Sequence, residues 1–166
     1  MANVWFCSDL HFGHKGIERF RGLNEEENRN RICDDWDRVV TKRDIVYVLG
    51  DVCFTTETLM HIMNRPGEKY LVRGNHDEFP NMMYSHYFKN IYGILKYKEF
   101  WLSHAPIHPN ELRGKVNLHG HVHYATIEDS RYFNCCPENL WKIKNRSLIS
   151  LQEIRDHLKC ELDSST

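Results

Sequence analysis

The six cysteines (Cys7, Cys33, Cys53, Cys135, Cys136 and Cys160) contain no C-x-x-C pair, which weakens both a zinc-ribbon and a thioredoxin-like reading. The adjacent pair Cys135-Cys136 forms only strained disulfides and reads instead as a strand end. No apolar run approaches the roughly 18 residues of a membrane span, and no charged-then-apolar leader opens the chain. We therefore expect a soluble protein of a reducing cytoplasm, with no membrane partner. An excess of charge of either sign is missing too, with 22 Lys and Arg against 23 Asp and Glu. A protein whose main business is gripping a nucleic-acid backbone is normally far more basic. The four tryptophans are too scattered for a base-stacking platform and read as core or interface residues. There is no repeat, linker or low-complexity segment, so residues 1–166 are expected to form one domain, long enough to bury a core without disulfides.

What the chain has is histidine. Its 11 His fall mostly beside Gly, Asp or Asn at the ends of apolar runs, a ligand pattern more than a packing pattern. The apolar run Tyr70–Val72 leads into Gly74-Asn75-His76-Asp77, which offers an amide oxygen, an imidazole and a carboxylate at one turn. Four further strand ends offer the same kinds of atoms: Asp9-Leu10-His11, Gly50-Asp51, Ser103-His104 and Gly120-His121-Val122-His123. Taken singly, each is ordinary turn composition. Together they read as a metal site.

The order of elements supports this. Asn3–Cys7, Ile45–Leu49 and Tyr70–Val72 are apolar enough for buried strands. Between them, Asn24 and Glu27 form a capping box that opens a helix over about Glu25–Val40, with Ile32, Trp36, Val39 and Val40 on one face. Thr55 or Thr56 caps a second helix with Leu59, Ile62 and Met63 inward, stopped by Pro66-Gly67. Strands alternating with helices predict a parallel sheet, whose ligands bind beyond the carboxyl ends of the strands. After Asp77, a short helix over Asn81–Asn90 is expected. Strand-like runs Ile91–Leu95, Glu99–Ser103, Val116–Leu118 and Arg131–Cys135 then form a second, β-rich layer. Ser150 and Glu153 cap a last helix with Leu151, Ile154 and Leu158 on one face, and the tail from Asp163 reads as frayed.

The donor set is carboxylate from Asp9 and Asp51, amide oxygen from Asn75, and imidazole from His11, His104, His121 and His123. Such a mixed nitrogen and oxygen set suits Mn²⁺ first, with Fe, Zn²⁺ or Ni²⁺ as alternatives. Seven donors exceed the needs of one ion but suit two, roughly 3.5–4 Å apart and bridged by a carboxylate. A pair of this kind holds a bridging hydroxide at neutral pH and neutralises phosphate oxygens, the requirements for in-line attack on phosphorus. His76 is the natural proton donor to the leaving oxygen, with Asp77 as a candidate partner that orients its imidazole.

These blocks, in this order from Asp9 to His123, resemble the calcineurin-like metallophosphoesterases. The resemblance implies an α/β fold in which two mixed β-sheets pack as a sandwich flanked by helices. It also implies that one ion takes Asp9, His11 and His123, the other Asn75, His104 and His121, with Asp51 bridging. His76 would match the family's catalytic histidine. Gly50-Asp51 continues as Val52-Cys53-Phe54, not as the Asp-Arg-Gly of the phosphoprotein phosphatases, and Asp77 stands where they often carry Arg. The surroundings are more similar to the small, uncapped bacterial and phage members, which are phosphodiesterases or phosphatases.

The expected activity is thus hydrolysis of a small or medium phosphoester, diester before monoester. A nuclease acting on single-stranded nucleic acid and a catalytically weak protein-binding scaffold are the alternatives. Asn75, His14 and His108 are candidate substrate-binding residues, though a turn-stabilising hydrogen bond is the plainer role for His14. Lys15, Arg19 and Arg21 are candidates for a basic rim, and His119 reads as an ordinary strand residue.

Overall fold

The computed structural model describes residues 2–164, with side chains through 160. The first half runs β1 (Val4–Cys7), α1 (Glu18–Arg21), α2 (Glu25–Val39), β2 (Ile45–Val48), α3 (Thr56–Met63), β3 (Glu68–Val72), α4 (Asn81–Tyr84) and β4 (Asn90–Tyr92). The second half runs β5 (Ile94–Tyr97), β6 (Phe100–Ser103), β7 (Val116–His119), β8 (Tyr132–Asn134), α5 (Pro137–Lys144), β9 (Ile149–Ser150) and α6 (Leu151–Ser164). The first sheet has the order β4-β3-β2-β1-β9, parallel except for β9. The second has the order β5-β6-β7-β8, parallel except for β5. Both sheets are mixed, and the chain is an α/β protein as expected.

Period-two alternation sorts the strand residues between two cores. Trp5, Cys7, Val46, Val48 and Leu71 face one way, against Ile32 and Trp36 of α2 and Leu59 and Ile62 of α3. Phe6, Tyr47 and Val72 face the other way, against Phe100, Leu102, Leu118 and Phe133 of the second sheet. A sheet covered on both faces reads as a continuous apolar run, which is why β1 and β2 were visible in the sequence. The capping box of α2 is present in both halves, and the Trp36 indole donates to Pro66 O at 2.9 Å, fixing the helix to the turn before β3. Emptying this layer is costly: Ile32→Ala removes a fully buried side chain and should lose about 2–5 kcal/mol.

Three expectations need correction. The run Ile91–Leu95 is two strands, since Gly93 separates β4 in one sheet from β5 in the other. One apolar run thus serves both sheets, which its hydropathy alone does not reveal. The helix expected over Asn81–Asn90 is a single turn, α4, followed by isolated turn bonds such as Tyr87 N–H to Tyr84 O at 2.9 Å. Met63 is 51% exposed, so the buried face of α3 narrows to Leu59 and Ile62. Thr55, not Thr56, caps that helix. The Ser150–Glu153 box holds the start of α6, which continues through Ser164; the rest of the expected frayed tail lies outside the described residues. Among the described residues, no helix is long and apolar enough to cross a membrane.

Candidate metal centre

Every candidate ligand lies just past the carboxyl end of a strand. Asp9 and His11 follow β1, Asp51 follows β2, Asn75 follows β3, His104 follows β6, and His121 and His123 follow β7. The backbone ladder continues beyond the strands and ties the first two loops together. Asp9 N–H bonds Gly50 O at 2.9 Å, His11 N–H bonds Asp51 O at 3.0 Å and Phe12 N–H bonds Val52 O at 3.0 Å. Gly120 N–H bonds His104 O at 2.8 Å and does the same for the second sheet.

The loops are strained where the chemistry lies. Asp9, His11, Asp51, His121 and His123 have φ of 51°, 53°, 54°, 70° and 50°, a left-handed region that costs non-glycine residues of order 1–3 kcal/mol each. Hydrogen bonds hold several of them there. The carboxylate of Asp77 accepts from Asp51 N–H at 2.9 Å, Val52 N–H at 2.9 Å and Gly74 N–H at 2.8 Å. Asp9 Oδ2 accepts from His121 N–H at 2.9 Å, joining the two sheets, and Asp51 Oδ1 accepts from His76 N–H at 2.9 Å. Two glycines permit this crowding. A Cβ on Gly50, itself at φ 94°, would stand 2.6 Å from His104 Nδ1, and a Cβ on Gly120 would collide with Ser8 Oγ and Asp9 Oδ2.

The side-chain atoms left over fall into two sets that share one oxygen. His11 Nε2 is 3.4 Å from Asp9 Oδ1 and 3.7 Å from Asp51 Oδ2, and His123 Nε2 is 3.6 Å from Asp9 Oδ1. In the second set, Asn75 Oδ1 is 2.8 Å from His104 Nε2 and 2.9 Å from His121 Nδ1, with the two nitrogens 3.2 Å apart. Asp51 Oδ2 is 3.4 Å from His104 Nε2, so it belongs to both. Atoms that share one ion at about 2.0–2.2 Å stand about 2.8–3.6 Å from each other, and these separations of 2.8 to 3.7 Å lie close to that range. Asp9 Oδ1 and both ring nitrogens of His11 are buried and find no hydrogen-bond partner among the described residues. His104 Nδ1 faces Leu49 O at 2.8 Å, so it carries a hydrogen, and only when the ring is neutral does Nε2 turn a lone pair toward the Asn75 oxygen. Acceptor facing acceptor is an arrangement that a cation or a proton satisfies. The residues fit divalent metal.

Electrostatics agree. Burial would raise the Asp9 and Asp51 carboxyls, but neighbouring imidazoles and hydrogen bonds hold both below the usual carboxylate range. Burial would lower His104, yet its bond to Asp51 and the charges of Asp9 and Asp51 raise it to about 9.

Behind His123 stands an ion pair that the sequence did not disclose. Glu138, at the start of α5, places Oε1 3.0 Å from His123 Nδ1 and 2.7 Å from Arg21 Nε, with both side chains of the pair wholly buried. Arg21 also donates to Asp9 O at 2.7 Å and to Asn28 Oδ1 at 2.8 Å, and Asn28 Nδ2 donates to Leu10 O at 3.0 Å. One buried network therefore fixes the His123 ring and the left-handed loop of Asp9. A carboxylate behind a ligating imidazole sets its tautomer and strengthens it as a donor.

The profile of the calcineurin-like phosphoesterases matches residues 2–156. The chain is a calcineurin-like phosphoesterase. It is 33% identical to the gene 66 protein of Mycobacterium phage L5, covering 76% of this chain and 80% of that protein. The gene 66 protein of Mycobacterium phage D29 is 31% identical, over 78% of this chain and 83% of its own length. A crystal structure of a protein of unknown function from Aquifex aeolicus superposes with a TM-score of 0.76 at 26% identity, over 94% of this chain and 99% of that one. Membership carries divalent metal dependence and hydrolysis of phosphoesters.

Within this phosphoesterase the other candidate residues separate. His76 is exposed, its ring centroid 5.9 Å from that of His11. Asp77 is not its orienting partner: the carboxylate is committed to backbone amides and to the Tyr84 hydroxyl at 3.3 Å, and it shapes the loop of Asp51. His14 is half-buried beside the centre, its ring 5.7 Å from His11 and 4.7 Å from Phe54. His108 is exposed, and its Nδ1 accepts from Asn110 N–H at 3.3 Å, capping a 3-10 turn. Lys15 and Arg19 are exposed, whereas Arg21 is the buried buttress just described. His119 is buried in β7, bonded at Nδ1 to Gly120 O at 2.9 Å, and lines, with His123 and Tyr124, a cavity of about 520 Å³. Cys135 and Cys136 are buried thiols that burial pushes well above the usual range.

Proposed function

We propose that this chain is a two-metal phosphodiesterase that also accepts phosphomonoesters. The observation that carries the reading is the pair of donor sets sharing Asp51 Oδ2, with Asp9 Oδ1 and His11 Nε2 buried and otherwise unpartnered. Asp9, His11 and His123 would hold one divalent ion, and Asn75, His104 and His121 the other, with Asp51 between. Mn²⁺ is the metal this donor set favours, before Fe, Zn²⁺ or Ni²⁺. When bound, such a pair supplies a nucleophile from water at neutral pH and neutralises phosphoryl charge.

The chain's own residues do the rest. The amide of Asn75 faces the second set while its neighbour His76 stands free at the rim, so substrate oxygens and the proton donor meet at one turn. His76 passes a ring N–H proton to the leaving oxygen as the P–O bond breaks, and recovers it from solvent. Its backbone N–H, held by Asp51 Oδ1, fixes where the ring begins. Asp77 acts through the loop, as a positioning residue. His14, with its ring centroid 5.7 Å from that of His11, would contact a substrate oxygen.

Metal-stripped protein given Mn²⁺ should hydrolyse bis(p-nitrophenyl) phosphate faster than p-nitrophenyl phosphate. Folded protein that turns over neither ester with Mn²⁺, Zn²⁺, Ni²⁺ or Mg²⁺ would remove the reading.

A further inference from the structure

A row of aromatic rings crosses the rim of the metal centre and has no part in holding metal. Phe54 stands between His11, His14 and His76, with ring centroids at 5.5, 4.7 and 5.2 Å. From His14 the row continues to Phe20 at 6.2 Å. Phe20 lies on α1 and is 60% exposed. Tyr124, in the loop just after ligand His123, is 51% exposed and its hydroxyl donates to Phe20 O, so the two open rings are tied together. Large apolar side chains left open beside a polar centre are unusual for loop packing alone and mark a contact surface.

Resting on the phosphodiesterase reading, we propose that Phe20, His14 and Phe54, flanked by Tyr124, form a stacking subsite for an aromatic ester arm, a nucleobase above all. The row begins at His76, where the leaving oxygen is protonated, and ends in solvent at Phe20. An ester arm that leaves the centre past His76 therefore runs along ring faces. Phe54 and His14 face the part of the arm nearest phosphorus, and Phe20 with Tyr124 meets its far end. Stacking accepts any base, because every base has a π-face, so the subsite selects aromatic arms over alkyl arms without reading sequence. The near-neutral charge of the chain fits a single nucleotide arm better than a long strand, which would need a basic track.

The test compares thymidine 5′-monophosphate with methyl phosphate, esters that differ in the leaving arm, on Mn²⁺-loaded protein, reading phosphate release and the ratio of their kcat/KM values. The wild-type ratio should favour the thymidine ester by about tenfold or more, Phe20→Ala should lower the ratio by about fivefold or more, and Phe20→Tyr should keep it. Calorimetry with thymidine 5′-monophosphate and methyl phosphate gives the same comparison without turnover. If neither these esters nor bis(p-nitrophenyl) phosphate are cleaved, yet the thymidine nucleotide binds more tightly and Phe20→Ala abolishes the difference, the subsite stands and the hydrolase reading falls. A wild-type ratio near one, or a ratio that Phe20→Ala leaves unchanged, overturns the proposal. A wild-type dimer that Phe20→Ala splits, with the ratio unmoved, would overturn it in favour of a second copy of this chain.

Discussion

Glu138 offers the sharpest check on how the centre is built. Its side chain is wholly buried and serves His123 Nδ1 and Arg21 Nε through one oxygen. Glu138→Ala leaves the Arg21 guanidinium buried without its counter-charge, and breaking such a pair costs about 3–5 kcal/mol. Arg21 keeps Asp9 O and Asn28 Oδ1 as acceptors, so the loss should fall at the lower end of that range. Against a total stability of about 5–15 kcal/mol, the variant should fold but unfold at clearly lower urea. Glu138→Gln is the more telling change. It keeps an oxygen for the His123 N–H and removes only the charge, so it should cost about 1.5–3 kcal/mol, the value of a hydrogen bond to a charged group. Both variants should weaken Mn²⁺ binding by about 10–100-fold, since the imidazole loses its carboxylate partner. Urea unfolding with and without Mn²⁺ reads both effects, because bound metal raises the midpoint with the logarithm of its affinity. Wild-type Mn²⁺ affinity in Glu138→Gln, or a cost below about 1 kcal/mol in Glu138→Ala, would refute the reasoning.

His76→Ala should keep metal affinity while lowering turnover of methyl phenyl phosphate about 10²–10⁴-fold, and bis(p-nitrophenyl) phosphate far less, since a good leaving group needs little protonation. Equal losses on both esters would remove the general-acid role. Gly120→Ala drives a methyl group into Ser8 Oγ and Asp9 Oδ2, so Mn²⁺ titration should show impaired binding in the first donor set, measurable as a lower affinity by calorimetry. His104 is raised to about 9, so in metal-free protein at pH 7.5 its ring is protonated, and metal must displace that proton. Mn²⁺ addition should therefore release protons at pH 7.5, with apparent affinity rising as pH climbs and levelling above about 9; calorimetry in buffers of different ionisation enthalpy would detect the release.

The layout of the centre was largely legible because each part is local. An apolar strand followed by Gly, Asp, Asn or His is a statement about adjacent residues, and parallel strands bring their carboxyl ends to one edge without further information. Helix α2 was legible for the same reason, since Asn24 and Glu27 make a box within one turn. What escaped depends on distant partners or on the backbone. Glu138 and Arg21 are 117 positions apart, and neither has neighbours in sequence that mark it as part of a metal site. Asp77 sits beside His76 in sequence, but its carboxylate turns to the amides of Asp51 and Val52, a direction that only the crossing of two loops sets. The cap that His108 makes on the 3-10 turn starting at Pro109 likewise depends on local backbone geometry that residue types alone do not show. Gly93 needed the third dimension as well, because one glycine between two apolar runs serves equally as a flexible point in one strand or a crossing between two sheets.

The most direct measurement is Mn²⁺ stoichiometry and bis(p-nitrophenyl) phosphate turnover on the same metal-stripped protein, with Asp51→Asn alongside. Turnover that appears only as the second equivalent binds, and is nearly lost with weakened metal binding in Asp51→Asn, is the outcome the shared Asp51 oxygen predicts. Full turnover at one equivalent per chain, or an Asp51→Asn protein that binds and hydrolyses like the wild type, would contradict it.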